Sequence, residues 1–236
     1  MTVFVFGASG IIGGSVFQNL INAGVECVGI DHKNSDNIIP EGQYEHVDCR
    51  NLEEIERITQ IILKRQHGQI LNIINCAGID AKPDQSASAS NLIDDMLMVN
   101  QRWPVEFLGH LLKNIGTYKL NVILLDTTYT RLSPQPAHYK NGYVKPFSYI
   151  MSKAYTESFV KYLTVHYPQH RFNCVAPHLV VESENQLRAD THLLEQSIVD
   201  RACPPAEIAS VICYLLDPLS YFVKGERIKV DGGWTA

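Results

Sequence analysis

Short apolar segments alternate along the chain with longer segments in which apolar residues recur every three or four positions. Thr2–Phe6 and Glu26–Asp31 are short and rich in apolar residues, which is typical of buried strands. Apolar residues at positions 52, 55, 58 and 62 have the spacing of one helix face. The alternation predicts further strands at Tyr44–Val47, Leu71–Asn75, Asn121–Leu125, Arg171–Val175 and Arg227–Val230, and helices up to Asn22, within Ala87–Leu112, and over Ser148–His166 and Pro205–Leu216.

Alternation of strands and helices predicts an α/β fold in which helices cover both faces of a parallel sheet. The sequence contains no internal repeat and no linker, and we therefore expect residues 1–236 to form a single domain. Two connections, 129–147 and 180–203, are long for a compact domain. Because loops of that length usually serve binding, we expect them to lie over the site.

Composition narrows the class of protein. Hydrophobic residues make up 45% of the chain and charged residues 19%, and the net charge is -5 at pH 7, so we expect no nucleic-acid or membrane partner. No apolar run reaches the roughly 18 residues of a membrane-spanning helix. The six cysteines form no C-x-x-C pair, which argues against a metal site or a disulfide framework. Since no signal peptide opens the chain, we expect it to be cytoplasmic.

The first candidate for chemistry is a glycine-rich turn between the first strand and the first helix. Its glycines are Gly7, Gly10 and Gly13. In such turns the first glycine permits the tight bend, the second lets the backbone approach a pyrophosphate, and the third lets the helix pack on the strand. The helix N-terminus adds unpaired N–H groups and a partial positive charge. We expect the turn to bind a dinucleotide, with Ser9 and Ile12 among its contact residues.

Asp31 ends the second strand and is the next candidate. A carboxylate at this place can accept hydrogen bonds from both ribose hydroxyls of an adenosine and would repel a 2′-phosphate. The sequence therefore favours NAD over NADP, although His32 and Lys33 follow directly and would ease binding of the phosphorylated cofactor. The alternative is a solvated carboxylate at the end of a strand.

Tyr149 and Lys153 lie four residues apart near the start of a predicted helix, so both side chains project from one face. An ammonium beside a phenol favours the phenolate and lowers a pKa that is ordinarily about 10. A tyrosine of this kind can exchange a proton with an alcohol or a carbonyl. Asp126-Thr-Thr128 follows the strand Asn121–Leu125 and supplies hydroxyls at the carboxyl edge of the sheet, where such sheets bind ligands.

Together these features resemble the short-chain dehydrogenase/reductase family. The resemblance extends from residue 3 to residue 235 and implies a doubly wound Rossmann fold with about seven parallel strands. The motifs that carry it are the glycine turn, Asp31, Asp48, Asn75-Cys-Ala-Gly78, Asn100, Thr128, Tyr149 with Lys153, Asn173-Cys-Val-Ala-Pro177 and Val230-Asp-Gly-Gly-Trp234.

The resemblance implies which residues would hold the cofactor. Asp48 would contact the adenine ring. Asn75, Ala77 and Gly78 would support the sheet and line the adenosine ribose. Lys153 would bind the nicotinamide ribose.

The resemblance also implies catalytic roles. Tyr149 would be the general acid or base, its pKa lowered by Lys153, and Asn100 would hold a water in a proton relay. Most members carry a serine that polarises the substrate carbonyl. The matching residue here is Thr128, with Thr127 as the alternative; threonine keeps the hydroxyl but is stiffer at χ1.

Three departures from the family pattern affect this interpretation. The glycine spacing is that of the longer, sugar-nucleotide-modifying members, whereas the chain length and the C-terminal motif are those of the shorter members. Thr128 and Tyr149 are 21 residues apart, which is wide for the shorter members. His178 and Glu182 stand where the family usually has glycine and threonine beside the nicotinamide.

The leading hypothesis is an NAD(H)-dependent oxidoreductase that interconverts a secondary alcohol and a ketone. A sugar or sugar derivative is the favoured small-molecule substrate. One alternative is a sugar-modifying epimerase or dehydratase that retains its NAD, and another is a non-catalytic NAD-binding regulator or partner subunit. The resemblance also implies a homodimer or homotetramer.

Overall fold

The computed structural model describes residues 1–33, 39–40, 42–80, 90–139, 145–181, 198–199 and 201–236. Within these residues, seven strands form one sheet in which every neighbouring pair is parallel. The strands are β1 (Thr2–Phe6), β2 (Glu26–Asp31), β3 (Tyr44–His46), β4 (Ile70–Asn75), β5 (Lys119–Leu125), β6 (Arg171–Pro177) and β7 (Arg227–Val230). Their spatial order is β3-β2-β1-β4-β5-β6-β7, which confirms the doubly wound parallel sheet.

Helices occupy the connections between the strands. They are α1 (Ile11–Asn22), α2 (Glu54–Arg65), α3 (Ser90–Leu97), α4 (Trp103–Asn114), α5 (Phe147–Ala154), α6 (Thr156–His166) and α7 (Pro205–Tyr214). A π-helical turn over Met98–Arg102 joins α3 to α4. The connections also include 3-10 turns at Thr128–Thr130, Pro136–His138 and Pro218–Ser220.

The apolar core lies on both faces of the sheet, as the uninterrupted apolar strands predict. Val3 and Val5 of β1 point to one face, which α1 and α7 cover, and Phe4 and Phe6 point to the other, which α2, α4 and α6 cover. Side chains from the covering helices complete each layer: Phe17, Leu20, Ile208 and Ile212 on the first face, and Ile58, Ile62, Trp103, Phe107 and Leu163 on the second.

Two predicted helices are divided in the structure. The helix expected over Ser148–His166 is α5 followed by α6, with the junction at Tyr155. The helix expected within Ala87–Leu112 widens into the π-helical turn before α4; residues 87–89 lie outside the described residues. Pro104, at the start of α4, explains this change because it has no N–H to continue the regular hydrogen-bond ladder.

The topology determines where a ligand can bind. The chain leaves β1 toward β2 on one side of the sheet, whereas β4 and the later strands lie on the other side, so the connections after β1 and β4 diverge. In open α/β sheets a crevice forms at the carboxyl ends of the strands where this happens. The glycine turn follows β1 and Asn75–Gly78 follows β4, so both meet at that crevice.

Some expectations concern residues that are only partly described. The predicted loops 129–147 and 180–203 include residues 140–144, 182–197 and 200, which lie outside the described residues, so their position over the site stays a prediction. Among the residues that the structure does describe, no helix is long and apolar enough to cross a membrane. In the same part of the chain, His, Cys, Asp and Glu side chains form no group that could hold a metal ion.

Candidate active site

The glycine turn after β1 depends on glycine at two positions. Gly7 has a φ of 73°, and a Cβ there would lie 2.5 Å from the backbone nitrogen of Ala77. A Cβ on Gly13 would lie 2.1 Å from the carbonyl oxygen of Gly7. Both contacts are shorter than any real Cβ contact, so the turn can close against β4, and α1 can pack on the turn, only without side chains at these positions.

The start of α1 is open toward the crevice. Gly10 is its N-cap, and a Cβ built there would lie 3.2 Å from the Gly7 carbonyl oxygen, which among the described residues is its nearest neighbour beyond residues 9 and 11 and the helix backbone. Residues 11–14, all of them described, include no acidic side chain. A helix N-terminus with no side-chain cap and no acidic residue in its first turn attracts phosphate through its backbone N–H groups and partial positive charge. This part of the site therefore fits a dinucleotide, with Ser9 partly buried in the turn and Ile12 partly packed on the core.

Asp31 ends β2 and lies directly beside the glycine turn. One carboxylate oxygen accepts a hydrogen bond from the backbone N–H of Ser9 at 3.0 Å. The other accepts the backbone N–H of His32 at 2.7 Å and also lies 2.7 Å from the imidazole Nδ1 of His32. The structure therefore brings Asp31 to the predicted place, and its hydrogen bond to Ser9 helps to fix the turn.

Asp48 is held by a neighbouring arginine. Its carboxylate accepts hydrogen bonds from the Arg50 side chain, from Nε at 2.9 Å and from Nη2 at 2.7 Å, as well as one from the Arg50 backbone N–H. These hydrogen bonds and the positive charge lower the pKa of Asp48. Contact of Asp48 with adenine stays a prediction, and Arg50 is the described partner of this carboxylate.

The segment after β4 connects the glycine turn to the residues expected to do chemistry. The side chain of Asn75 accepts a hydrogen bond from the backbone N–H of Ala77 at 3.1 Å and so shapes this segment. A Cβ on Gly78 would lie 3.3 Å from Oδ1 of Asn100 and 3.4 Å from Nζ of Lys153. The lack of a side chain at Gly78 thus leaves room for both groups.

Asn100 lies in the π-helical turn and is almost completely buried. Its Oδ1 accepts the backbone N–H of Ile79 at 2.7 Å, and its Nδ2 donates to the Ile79 carbonyl at 2.8 Å and to Oγ of Ser152 at 2.9 Å. Asn100 therefore joins the segment after β4 to α5, the helix that carries Tyr149 and Lys153. The sequence pattern predicts Asn100 as a site residue but carries no signal for Ser152 as its partner.

Lys153 is buried on α5 and points at the end of β5. Its Nζ donates a hydrogen bond to the carbonyl oxygen of Leu125 at 2.9 Å. Burial lowers the pKa of Lys153, and the negative charge of Asp126 opposes that effect. The ammonium is thus anchored between Gly78 and the residues that follow β5.

Thr127 and Thr128 have different surroundings in the structure. Hydrogen bonding with the Thr127 side chain lowers the pKa of Tyr149, whereas Thr128 is fully buried and its Oγ1 lies 3.2 Å from Nδ1 of His178. Which of the two hydroxyls polarises a substrate carbonyl stays a prediction. The chain leaves β5 for a 3-10 turn over Thr128–Thr130, with Thr127 as its N-cap.

The expectation that Lys153 lowers the Tyr149 pKa below its ordinary value is wrong for this structure. Burial raises the pKa of Tyr149 well above its ordinary value, the charges of Asp80 and Asp126 raise it further, and the hydrogen bond with Thr127 lowers it. Lys153 donates its described hydrogen bond to the Leu125 carbonyl. The phenol is therefore protonated at neutral pH.

A second lysine contacts Tyr149, and the sequence pattern carried no signal for it. Nζ of Lys145 lies 4.5 Å from the centre of the Tyr149 ring and 2.5 Å from a carboxylate oxygen of Asp80. The Lys145 side chain is only 11% exposed, although the residue comes from a proline-containing connection. A cation over an aromatic face is attracted to it, so Lys145 helps to fix the ring.

His178 forms part of an aromatic group behind Thr128. Its ring stacks on Trp234 with the ring centres 3.9 Å apart, and it meets the edge of Tyr129 at 5.8 Å. Burial lowers the pKa of His178 to about 4, so the imidazole is neutral at pH 7. The sequence marked His178 as unusual, but only the structure joins it to Thr128 and Trp234. Glu182 lies outside the described residues.

Comparison with known proteins shows the family and supports the fold. A family model described as enoyl-(acyl carrier protein) reductase, adh_short_C2, matches residues 7–235. A curated relative, a probable short-chain type dehydrogenase/reductase of Bradyrhizobium diazoefficiens, is 30% identical over 95 residues, which are 38% of this chain and 34% of that protein. The chain thus matches only about a third of that relative's length.

Solved structures resemble the chain over nearly its whole length. A 4-hydroxyisoleucine dehydrogenase complexed with NADH has a TM-score of 0.81 and 21% identity, covering 99% of this chain and 98% of that chain. The aldohexose dehydrogenase of Thermoplasma acidophilum has a TM-score of 0.77 and 18% identity, covering 99% and 93%. At these identities the likeness shows the fold.

Proposed function

The chain belongs to the short-chain dehydrogenase/reductase family, and from that premise we propose that it interconverts a secondary alcohol and a ketone with a nicotinamide cofactor. The observation that carries the proposal is that buried Lys153 bonds the Leu125 carbonyl at the carboxyl end of β5, while hydrogen bonding with Thr127, two residues later, lowers the pKa of Tyr149 on the same helix as Lys153. A bound nicotinamide would supply or take up the hydride. The protein's part is to orient the substrate and to transfer the proton.

Tyr149 is the proposed general acid and base. A phenol that stays protonated at neutral pH can donate its proton to the oxygen of a carbonyl that is being reduced. In the reverse direction the same oxygen takes the proton from the alcohol. The hydrogen bond from Thr127 stabilises the phenolate needed for that step, because it lowers the Tyr149 pKa.

Thr127 is the proposed group that polarises the substrate carbonyl, and Lys153 is proposed to hold the nicotinamide ribose. The buried ammonium of Lys153 already has one acceptor, the Leu125 carbonyl, and an ammonium can donate up to three hydrogen bonds. Asn100 is proposed as a positioning residue, since it ties the segment after β4 to Ser152 on α5. The water that Asn100 is proposed to hold would form a hydrogen bond with the Ile79 carbonyl or with Ser152.

The cofactor is proposed to be NAD. Asp31 supports this choice, because its largely buried carboxylate lies at the end of β2 beside the turn, where it would repel a 2′-phosphate. A fluorescence titration of the protein with each cofactor tests it, and we expect NAD to bind at least tenfold more tightly. Tighter binding of NADP would contradict this assignment of Asp31.

The experiment that tests the catalytic proposal is Tyr149→Phe. General acid–base catalysis contributes about 10² to 10⁴ in rate, so we expect kcat to fall by roughly that factor. The affinity for NAD should not change, since Tyr149 is not proposed to hold the cofactor. Tyr162→Phe is the matched control, because this tyrosine is exposed on the neighbouring helix α6.

The substrate is proposed to be a sugar or a sugar derivative. The wide spacing between the residues after β5 and Tyr149, together with the spacing of the glycines, supports this class, and the fold is shared with an aldohexose dehydrogenase. A panel of aldohexoses, sugar alcohols, hydroxy acids and simple secondary alcohols, followed at the NADH absorbance band, tests it. Turnover of simple alcohols alone would exclude the sugar proposal.

The same panel separates the alternatives. An epimerase or dehydratase would release NAD when the purified protein is denatured and would change a sugar without net formation of NADH. A non-catalytic NAD-binding subunit would bind the cofactor, and Tyr149→Phe would change nothing measurable. A homodimer or homotetramer is also proposed, and sedimentation of the purified protein would test it.

A further inference from the structure

A buried ion pair stands behind the catalytic turn. Nε of Arg227, on the edge strand β7, lies 2.5 Å from Oδ2 of Asp126, the first residue after β5. The two side chains are only 7% and 1% exposed. The residues are 101 positions apart in the sequence, so the pair connects the last strand of the sheet to the start of the segment that carries Thr127.

Arg227 also bonds the turn itself. Its Nη2 donates a hydrogen bond to the carbonyl oxygen of Thr127 at 2.8 Å and lies 3.4 Å from Oγ1 of Thr130. The hydroxyl of Thr130 donates to the same Thr127 carbonyl at 2.9 Å. The planar guanidinium of Arg227 therefore binds the side chain of Asp126 and the backbone carbonyl of Thr127 at the same time.

The turn is held from its other end as well. Arg131, directly after the 3-10 turn, forms a two-pronged ion pair with Glu157 of α6, with distances of 3.1 Å from Nε and 2.5 Å from Nη2. Glu157 also lies 3.9 Å from Nε of Arg227. Segment 126–131 is thus fixed between β7 and α6 by a connected set of charges.

Stability is a poor explanation for such a pair. Removing two charges from water costs several kcal/mol, and apolar residues of similar volume often serve stability as well or better. Burial also raises the pKa of Asp126, which is a sign that the carboxylate loses solvation there. A guanidinium, unlike an apolar side chain, can bond two acceptors at once in a fixed planar arrangement.

We propose that the Asp126–Arg227 pair is a positioning device for the proposed reaction: it holds the Thr127 backbone so that the Thr127 hydroxyl stays against Tyr149. Arg227 and Asp126 are then positioning residues that act through Thr127. This inference rests on the proposed function, because it matters for turnover only if Thr127 and Tyr149 serve the reaction.

The test begins with Arg227→Lys, which keeps the charge but cannot bond Asp126 and the Thr127 carbonyl in one plane. We expect kcat for the best substrate of the alcohol panel to fall at least tenfold, while KM changes less than threefold. Because hydrogen bonding with Thr127 lowers the Tyr149 pKa, the pH at which oxidation reaches half its maximal rate should rise when that bond is lost. Arg201→Lys, in the exposed Arg201–Glu207 ion pair, is the matched control and should change neither quantity.

A double-mutant cycle separates positioning from general damage to the fold. If Arg227 acts through Thr127, Arg227→Lys should lower kcat in the wild-type background and have almost no further effect on Thr127→Ala. Losses that multiply in the double variant would overturn the proposal, and so would an Arg227→Lys enzyme with normal kcat and a normal pH profile. If Arg227→Lys does not fold, Asp126→Asn, which keeps the shape and removes the charge, takes its place in the cycle.

Hydrogen exchange gives a readout that does not depend on turnover. Amides of segment 126–131, measured by mass spectrometry of the whole protein, should exchange faster in Arg227→Lys and at the wild-type rate in Arg201→Lys. Unchanged exchange in Arg227→Lys would overturn the positioning role. If the wild-type protein oxidises no alcohol of the panel, the proposed function fails, and the exchange result alone decides whether the pair holds the turn.

Discussion

His178 illustrates how one residue can be shaped by its surroundings. Its imidazole is packed on Trp234, contacts Thr128 and remains neutral at pH 7, because burial lowers its pKa to about 4. Asp231 raises this pKa and His138 lowers it, both by smaller amounts than burial. His178 is therefore a packed neutral ring behind the site in this structure, and it is not poised to exchange protons near neutral pH.

The depressed pKa of His178 predicts how stability depends on pH. In the unfolded chain His178 takes up a proton near pH 6.5, whereas in the folded protein it does so only near pH 4. The contribution of His178 to the free energy of unfolding is therefore fully present above pH 6.5 and is lost as the pH falls from 6.5 to 4. At about 1.4 kcal/mol for each pKa unit, the loss that His178 causes is at most about 3.5 kcal/mol.

The substitution His178→Phe tests that dependence because it keeps a ring against Trp234 and removes the proton. Urea unfolding at pH 7 and at pH 5 should show a smaller decrease in free energy of unfolding for His178→Phe than for the wild type. His67→Gln, at an exposed position, serves as the control. Equal decreases in wild type and His178→Phe would contradict the prediction.

At the scale of elements, the start of α1 depends on how closely a helix can approach a turn. Gly13 is buried against the Gly7 carbonyl, while Gly14, one residue later, has room. The difference arises because successive helical residues point about 100° apart, so that only Gly13 faces the turn.

Gly13→Ala and Gly14→Ala form a matched pair that tests this close approach. A Cβ at position 13 would lie 2.1 Å from a backbone oxygen, so we expect a loss of about 1–3 kcal/mol or more in free energy of unfolding and weaker NAD binding. A Cβ at position 14 would lie 3.4 Å from the Ala8 carbonyl, and the change to alanine favours the helix by up to about 1 kcal/mol. Thermal unfolding measures both variants. Similar stabilities would show that α1 can shift away from the turn.

At the scale of the whole molecule, the sheet gathers residues from distant parts of the chain at one edge. The parallel order brings the carboxyl ends of β1, β4, β5 and β6 together, and with them the glycine turn after β1, Asn75 at the end of β4, and Thr127 and His178 after β5 and β6. The same packing buries or partly buries the cysteines. Burial raises the thiol pKa of Cys27 to about 12, of Cys76 to about 12 and of Cys203 to about 11, and the pKa values of Cys49, Cys174 and Cys213 are raised as well.

Raised thiol pKa values predict an unreactive folded protein, because only the thiolate is a good nucleophile. With a disulfide reagent such as DTNB at pH 7.5, we expect slow reaction of the native protein and rapid reaction of all six cysteines in urea. The partly exposed Cys203 should react first in the native state. Fast labelling of several thiols without denaturant would show that the core opens readily.

What the sequence determined by itself is what local spacing controls. The structure reproduces the predicted bounds of β1, β2 and β7 and the glycine turn between β1 and α1. These features, like the four-residue spacing of Tyr149 and Lys153 on one helix, follow from the spacing of residues within one short segment. Tertiary structure alone decided that Thr128 contacts His178, that Lys153 bonds the Leu125 carbonyl, and that Arg227 reaches Asp126. Those contacts join strand ends and helices that are far apart in the chain, so the spacing within one segment does not predict them.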